Sequence, residues 1–232
     1  MSASLVGSEM CIRDRFMTID NIPVIIYTMQ AFQNHPQIDA ICVVCLKGWE
    51  VVLQAYANQF NITKLKWIFE GGDSNQHSIR NGLWGLRDAG CAEDDIILVH
   101  DGVRPLVAER IITENIEKCR KYGYAITGMI CKEAIMQKVD DCVKNIDIPR
   151  ERLVRTQTPH TYPLGTLLKA HAEADAKGID GTVASCTLMA ELGVDNQHLV
   201  MGSEKNGLKL TQTEDVELFK ALKHTTKDEW LK

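Results

Sequence analysis

Residues 99–107 read VHDGVRPLV. An Asp directly after an apolar run, followed by Gly, Arg and Pro, places a carboxylate and a guanidinium at one strand end. Asp101 can there hold a hard cation such as Mg²⁺, and Arg104 can neutralise phosphate oxygens. The same two residues would also make a structural turn with a local ion pair, and the motif alone does not choose. A second stretch, GGDSNQHSIRNGL at 71–83, sets two glycines ahead of a helix start. Gly71 and Gly72 allow close backbone approach, the helix N-terminus favours an anion, and Ser74 and Ser78 add hydroxyl donors. A tight turn with a capped helix accounts for these residues equally. In RERLVRTQTPH (150–160), Arg150, Arg152 and Arg155 accompany Thr158. That set suits a phosphate dianion or a solvated basic strand edge. Lys209, in GLKLTQTEDV (207–216), is expected on a short strand before a helix capped by Thr213. Plain surface charge is its alternative reading.

These residues need a scaffold, and the hydrophobic pattern supplies one. Pro23 suits the first turn of a helix reaching about His35, with Val24, Thr28 and Phe32 on one face. IDAICVVCL (38–46) and DIILVH (95–100) are β-branched runs of the kind found in strands covered on both faces. Helices are expected over 49–60, from Ser74 to about Ala89, through Ile112, Ile116 and Cys119 to Gly123, over 164–176, over 183–192 and from Glu214. Further strands are expected over 65–69, 124–131 and 198–201. Strand–helix alternation at this spacing predicts an α/β fold: a Rossmann-like, mostly parallel sheet with helices on both faces. Ligands in such sheets bind at the carboxyl ends of strands, so the loops after Phe69 and His100 are the places for chemistry. Residues 132–156, around DDCVKN, switch to short polar strand-like pieces, which predicts a protruding β-arm suited to dimerisation.

Composition narrows the class. The chain has 232 residues, 26 Lys+Arg against 31 Asp+Glu, and 45% hydrophobic content. That is ample for a core and excludes intrinsic disorder. No apolar run approaches the roughly 18 residues a membrane span needs. A net charge of -5 argues against a nucleic-acid binder with a broad basic face, but not against a small anionic ligand held by placed cations. The eight Cys are scattered and mostly in apolar runs, which points to a reduced, cytoplasmic protein rather than a disulfide scaffold. Cys42 and Cys45, three apart on one strand, face opposite ways and cannot clamp one metal. No G-x-G-x-x-G follows a strand, so a dinucleotide-dependent dehydrogenase is disfavoured.

Taken together and in order, VHDGVRP, GGDSNQHSIRNG, RTQTPH and LKLTQTEDV resemble the family of 2-C-methyl-D-erythritol 4-phosphate and ribitol 5-phosphate cytidylyltransferases. The likeness runs from Phe16 to the last helix. It implies a reaction joining CTP to a polyol phosphate to give a CDP-polyol and pyrophosphate, in Mg²⁺-dependent homodimers that exchange an arm. By the resemblance, Asp101 is the metal-associated carboxylate, with Arg104 and Lys209 catalytic beside it. Gly71, Gly72, Asn75, Ser78, Asp101 and Gly102 bind the nucleotide. Arg150 and Thr158 face the polyol phosphate, which Lys209 positions. Another sugar-phosphate nucleotidyltransferase, using a different nucleotide, is a competing reading.

Some positions depart from the family pattern. The family opens on a strand and a loop L-x-G-G-x-G-x-R-M, followed by P-K-Q-F, of which only the Phe remains here, as Phe16, followed by Met17. Residues 1–15, MSASLVGSEMCIRDR, read as a foreign segment ahead of a single nucleotidyltransferase domain at 16–232. They supply neither the glycines nor the lysine, and Arg13 and Arg15 are not assigned those roles. The chain is therefore expected to lack the central first strand and to be poorly active, or to be a catalytically impaired nucleotide-binding relative. Asn75 stands where an Arg is usual, Ala134 where many members carry Thr, and Gly207 where an Asn precedes Leu-Lys. GTVASC (181–186) departs from T-D-x-A-S. These changes bear on the polyol pocket more than on the CTP pocket, and the IDIPRERL approach leans towards the ribitol phosphate branch.

Overall fold

The computed structural model describes residues 2–6 and 18–223. Strand β1 (Ser2–Val6) precedes a minimal hairpin of β2 (Thr18–Ile19) and β3 (Ile22–Pro23). Its turn residues Asp20 and Asn21 both hold positive φ, 52° and 62°, the left-handed pair that a two-residue hairpin turn requires. Helix α1 (Val24–Gln33), β4 (Ala40–Cys45), α2 (Glu50–Gln59), β5 (Leu65–Glu70), α3 (Asn75–Asp88), β6 (Ile96–Asp101), α4 (Glu109–Tyr122) and β7 (Ala125–Ile130) follow in strict alternation. Then come the hairpin β8 (Met136–Val139) and β9 (Cys142–Asn145), a 3₁₀ turn at Arg150–Arg152, and the long strand β10 (Val154–Pro163). Helices α5 (Leu164–Lys177) and α6 (Ser185–Glu191), strand β11 (His198–Met201), the single turn α7 (Glu204–Gly207) and α8 (Thr213–Lys223) complete the described chain.

Seven strands make one sheet in the order β11-β7-β10-β6-β1-β4-β5. The pairings are parallel except the two that β10 makes, with β6 and β7. The sheet is thus the expected α/β layer with one antiparallel strand inside it. Period-2 alternation divides its side chains between two cores. Ile96, Leu98, Val43 and Cys45 join Met29 and Phe32 of α1, Leu53 of α2 and Ile112 of α4 on one face. Ile97, Val99 and Cys42 join Leu83 of α3, Leu167 of α5 and Met189 of α6 on the other. Cys42 and Cys45 therefore do face opposite ways.

Three expectations need correction. The chain does not lack a central first strand: Ser2–Val6 pairs in parallel with both β4 and β6, Val6 lying opposite Val44 and Asp101. A central strand position demands ladder hydrogen bonds on both sides, and any uncharged segment without proline can supply them. The second correction is β10. VRTQTPHTYP has no apolar run and contains Pro159, which argues against an interior strand. It is tolerated because the register with β7 shifts between Gln157 and His160. Third, Lys209 lies on no strand. It sits in an irregular link between α7 and α8, where the Leu210 N–H bonds the Val103 carbonyl at 2.9 Å.

Candidate active site

β6 delivers Asp101 at its carboxyl end, and the following turn closes when the Arg104 N–H donates to the Asp101 carbonyl at 3.0 Å. That turn swings the Arg104 side chain back, so its Nε donates to Asp101 Oδ2 at 2.9 Å. Lys209 Nζ approaches the same oxygen at 3.5 Å. Thr158, brought alongside by the antiparallel β10, accepts the Asp101 N–H on its hydroxyl at 3.2 Å. The Arg104 guanidinium also donates to the Gly207 carbonyl. One carboxylate, two cations and a hydroxyl thus meet at one strand tip and line a cavity of about 330 Å³.

Burial alone would raise the Asp101 carboxyl, but the charges of Lys209 and Arg104 outweigh it and hold the group below its ordinary value. At the two histidines beside it, burial decides the outcome. His100 and His160 are buried, and desolvation lowers both to about 4. Each is neutral near pH 7, so neither adds a cation or acts as an acid there. His100 is fixed by its Nε2 contact with the Arg104 carbonyl at 3.0 Å.

Of the residues named from sequence, the structure brings Asp101, Arg104, Lys209, Thr158 and Asn75 to this one cavity. Asn75 reaches across it, donating from Nδ2 to the Val183 carbonyl at 3.1 Å. Gly71, Gly72 and Ser78 are not among the residues that line it. The Gly72 N–H donates to Ser78 Oγ at 3.1 Å, and that hydroxyl returns to the Gly72 carbonyl at 3.3 Å. These groups build the loop by bonding one another. A Cβ on Gly72 would lie 2.5 Å from His77 Cβ, so the loop requires glycine there. Ser74 caps α3, accepting the His77 N–H at 3.1 Å. Gly102 is also engaged, its carbonyl accepting from Thr28 Oγ1 at 2.8 Å.

Arg150 lies elsewhere. Its Nη1 donates to the Lys132 carbonyl at 3.0 Å, and it lines a separate hollow of about 590 Å³ at the base of the arm, with Ala134, Met136, Ile148 and Leu153. Arg155 pairs with Glu204 at 2.5 Å on the surface. The segment that stands where the family pattern has its glycine-rich loop and lysine, with Arg13 and Arg15, falls outside the described residues. Sequence reasoning passed over Gln157, His160 and Ser185, which line the cavity. They were hidden because β10 itself was not recognised and because Ser185 opens a short helix with no charged neighbour.

Residues 6–224 match the family model described as IspD: 2-C-methyl-D-erythritol 4-phosphate cytidylyltransferase. The chain is 41% identical over 210 residues to a ribitol-5-phosphate cytidylyltransferase of Lacticaseibacillus paracasei, covering 89% of this chain and 88% of the relative. It is 33% identical over 213 residues to a 2-C-methyl-D-erythritol 4-phosphate cytidylyltransferase of Clostridium acetobutylicum, covering 90% of each. In fold it is similar to the crystal structure of 4-diphosphocytidyl-2C-methyl-D-erythritol synthase from Anaerococcus prevotii, with a TM-score of 0.82, 21% identity and coverage of 97% and 96%.

Proposed function

This chain belongs to the 2-C-methyl-D-erythritol 4-phosphate cytidylyltransferase family, and on that premise we propose that it transfers the cytidylyl group of CTP to D-ribitol 5-phosphate. The observation that carries the reading is the meeting of Asp101, Arg104, Lys209 and Thr158 at the tip of β6. An oxygen of the acceptor phosphate attacks the α-phosphorus of CTP. The bond to the β-phosphate oxygen breaks, giving CDP-ribitol and pyrophosphate. The attacking oxygen is already anionic, so no general base is needed. What the site must supply is alignment of two like-charged reactants and neutralisation of charge on the transferred group.

Lys209 and Arg104 meet that demand as fixed cations already aimed at one point. Thr158 offers a hydroxyl to the acceptor phosphate. Neutral His100 and His160 leave the charge balance to these groups. Among the described residues that line the cavity, Asp101 supplies the one carboxylate. A lone hard oxygen donor is too little to hold a metal by itself, but it fits Mg²⁺, which takes most of its ligands from water and substrate phosphates. Asp101 is the residue that would hold Mg²⁺, and the ion would add charge neutralisation on the phosphates when bound.

Arg150 enters the reading through a second copy of the chain. Within its own chain it lines the arm and not the cavity. In a homodimer with exchanged arms, each Arg150 would face the acceptor phosphate of the other copy. Ribitol phosphate is preferred over methylerythritol phosphate as acceptor because the 41%-identical relative bears that name, against 33% for a methylerythritol phosphate relative. The test offers both acceptors with CTP and Mg²⁺ and follows pyrophosphate release. Faster turnover with ribitol 5-phosphate is expected. Equal or faster turnover with methylerythritol phosphate would overturn the acceptor assignment, and no release with either would overturn the reaction.

A further inference from the structure

Lys209 sits between two anchors. On its C-terminal side, Leu210 is buried with Phe219 and Val24, and its N–H is tied to Val103. On its N-terminal side is α7, one turn of helix whose single buried residue is Asn206, 0% exposed. Apolar packing on that turn cannot set its place, so the hydrogen bonds of Asn206 do. Its Nδ2 donates to Gln157 Oε1 at 2.9 Å and to the Thr158 carbonyl at 3.2 Å. Gln157 Nε2 donates to the Ser203 carbonyl at 3.0 Å, and Ser203 Oγ accepts the Asn206 N–H at 3.1 Å. The ring closes. Gly202 and Gly207 flank the Gln157 amide so tightly that neither has room for a Cβ.

This ring joins both halves of the site. Gly207, at the end of α7, offers the carbonyl that Arg104 binds, and Lys209 is two residues further on. Thr158, held by the same Asn206 amide, contacts Asp101. We propose that Asn206, locked to Gln157, is a positioning residue that sets Lys209 and Arg104 against Asp101 and Thr158. As a role in cytidylyl transfer the inference rests on the reaction proposed above. As a statement about geometry it stands apart from it.

The test is Asn206→Ala in the full chain, with Gln157→Met as a near-isosteric break from the other side of the ring. A displacement of about 1 Å at a phosphoryl-transfer centre costs roughly 10²-fold in rate, so a fall of that order in kcat is expected, with KM for CTP little changed. In a Lys209→Ala background the same Asn206 substitution should add little, because groups acting through one another are not additive. An equal loss in both backgrounds, or no loss at all, would overturn the proposal. A second readout needs no substrate: ¹⁵N NMR of the Arg104 side chain, whose Nε–H donates to Asp101 Oδ2 at 2.9 Å and whose signal should shift in Asn206→Ala once α7 no longer holds the guanidinium. An unchanged Arg104 Nε–H signal would sink the idea. If the unsubstituted chain transfers nothing to either acceptor, the reaction assignment has failed while the Arg104 signal still decides the clamp. Loss of folding in both variants would assign the ring to stability and end the positioning claim.

Discussion

At the tip of β6, Asp101, Arg104 and Thr158 find their hydrogen-bond partners inside the chain, whereas the β8–β9 arm exposes Met136, Val139 and Val143 along its length. Ile135 and Ile148 extend the apolar surface at 43% and 49% exposure. The hairpin is two strands, which in water are marginal without a further layer. Polar groups that satisfy one another can be arranged by a single chain. Apolar groups on a protruding ribbon need something to cover them. The difference explains why Asp101, Arg104, Lys209 and Thr158 meet at one strand tip while Arg150 does not join them.

The sharpest break of this comparison is at the site. Asp101→Ala removes the carboxylate and leaves Arg104 and Lys209 facing each other without a counter-charge. Loss of one such electrostatic element costs about 10² to 10³ in kcat, and a loss in that range relative to the unsubstituted chain is expected, with the arm and the oligomeric state unchanged. Turnover within a few-fold of the starting chain would remove Asp101 from the mechanism.

Next in size is Arg150→Ala, expected to weaken acceptor use in steady-state kinetics while sparing CTP. Its value lies in mixing. If Arg150 serves the other copy's cavity, Asp101→Ala and Arg150→Ala chains, each poorly active alone, should complement after unfolding and reassociation. Half the dimers would be mixed with one whole site each, about a quarter of full site content. Activity no greater than the sum of the separate variants would confine Arg150 to its own chain. A smaller effect is expected from Val143→Asp, which places a charge on the arm where Val143 is 63% exposed. It should move the protein towards monomer in sedimentation, with thermal stability little changed because Val143 is outside the cores. A dimer that persists would separate the arm from assembly.

How far the sequence reached follows the same division. The two-sided strands β4 and β6 were legible because burial on both faces demands continuous β-branched runs. Asp101, Arg104, Thr158 and Lys209 were legible because motif order carries information that single residues lack. β10 was not, since it is polar, crossed by Pro159, and kept in the sheet by pairing with β6 and β7 rather than by its own pattern. The Gln157–Asn206 ring was hidden with it, because the two residues are 49 positions apart. Gly202 and Gly207 were the available hint: two glycines around one short turn mark a close backbone approach. Gly71 and Gly72 leave two readings open, since their spacing fits a ligand cradle and a self-bonded loop alike.

The smallest effect at neutral pH becomes visible in acid, and it should belong to the sheet alone. Residues 132–156 contain no His, whereas His100 on β6, His160 on β10 and His171 on α5 are buried and lowered by desolvation to about 4 each. The ordinary value is 6.5, so between pH 6.5 and 4 the unfolded chain binds protons that the folded chain refuses. Stability is then fully present above about pH 6.5 and falls as the pH drops towards 4, by up to about 1.4 kcal/mol per pH unit for each histidine. Asp101 acts lower down. Its carboxyl is held below 3.8 by Lys209 and Arg104, so its contribution is intact above that value and is lost only as the pH falls further. Against a total stability of about 5–15 kcal/mol, the histidines should dominate, and acid unfolding should begin well above the carboxylate range. Thermal melts from pH 7.5 to 4 check this, and Val143→Asp should show the same slope as the unsubstituted chain. A flat profile down to pH 4.5 would mean that these histidines find protons or partners in the folded state, and the neutral lining assigned to the cavity would have to be abandoned.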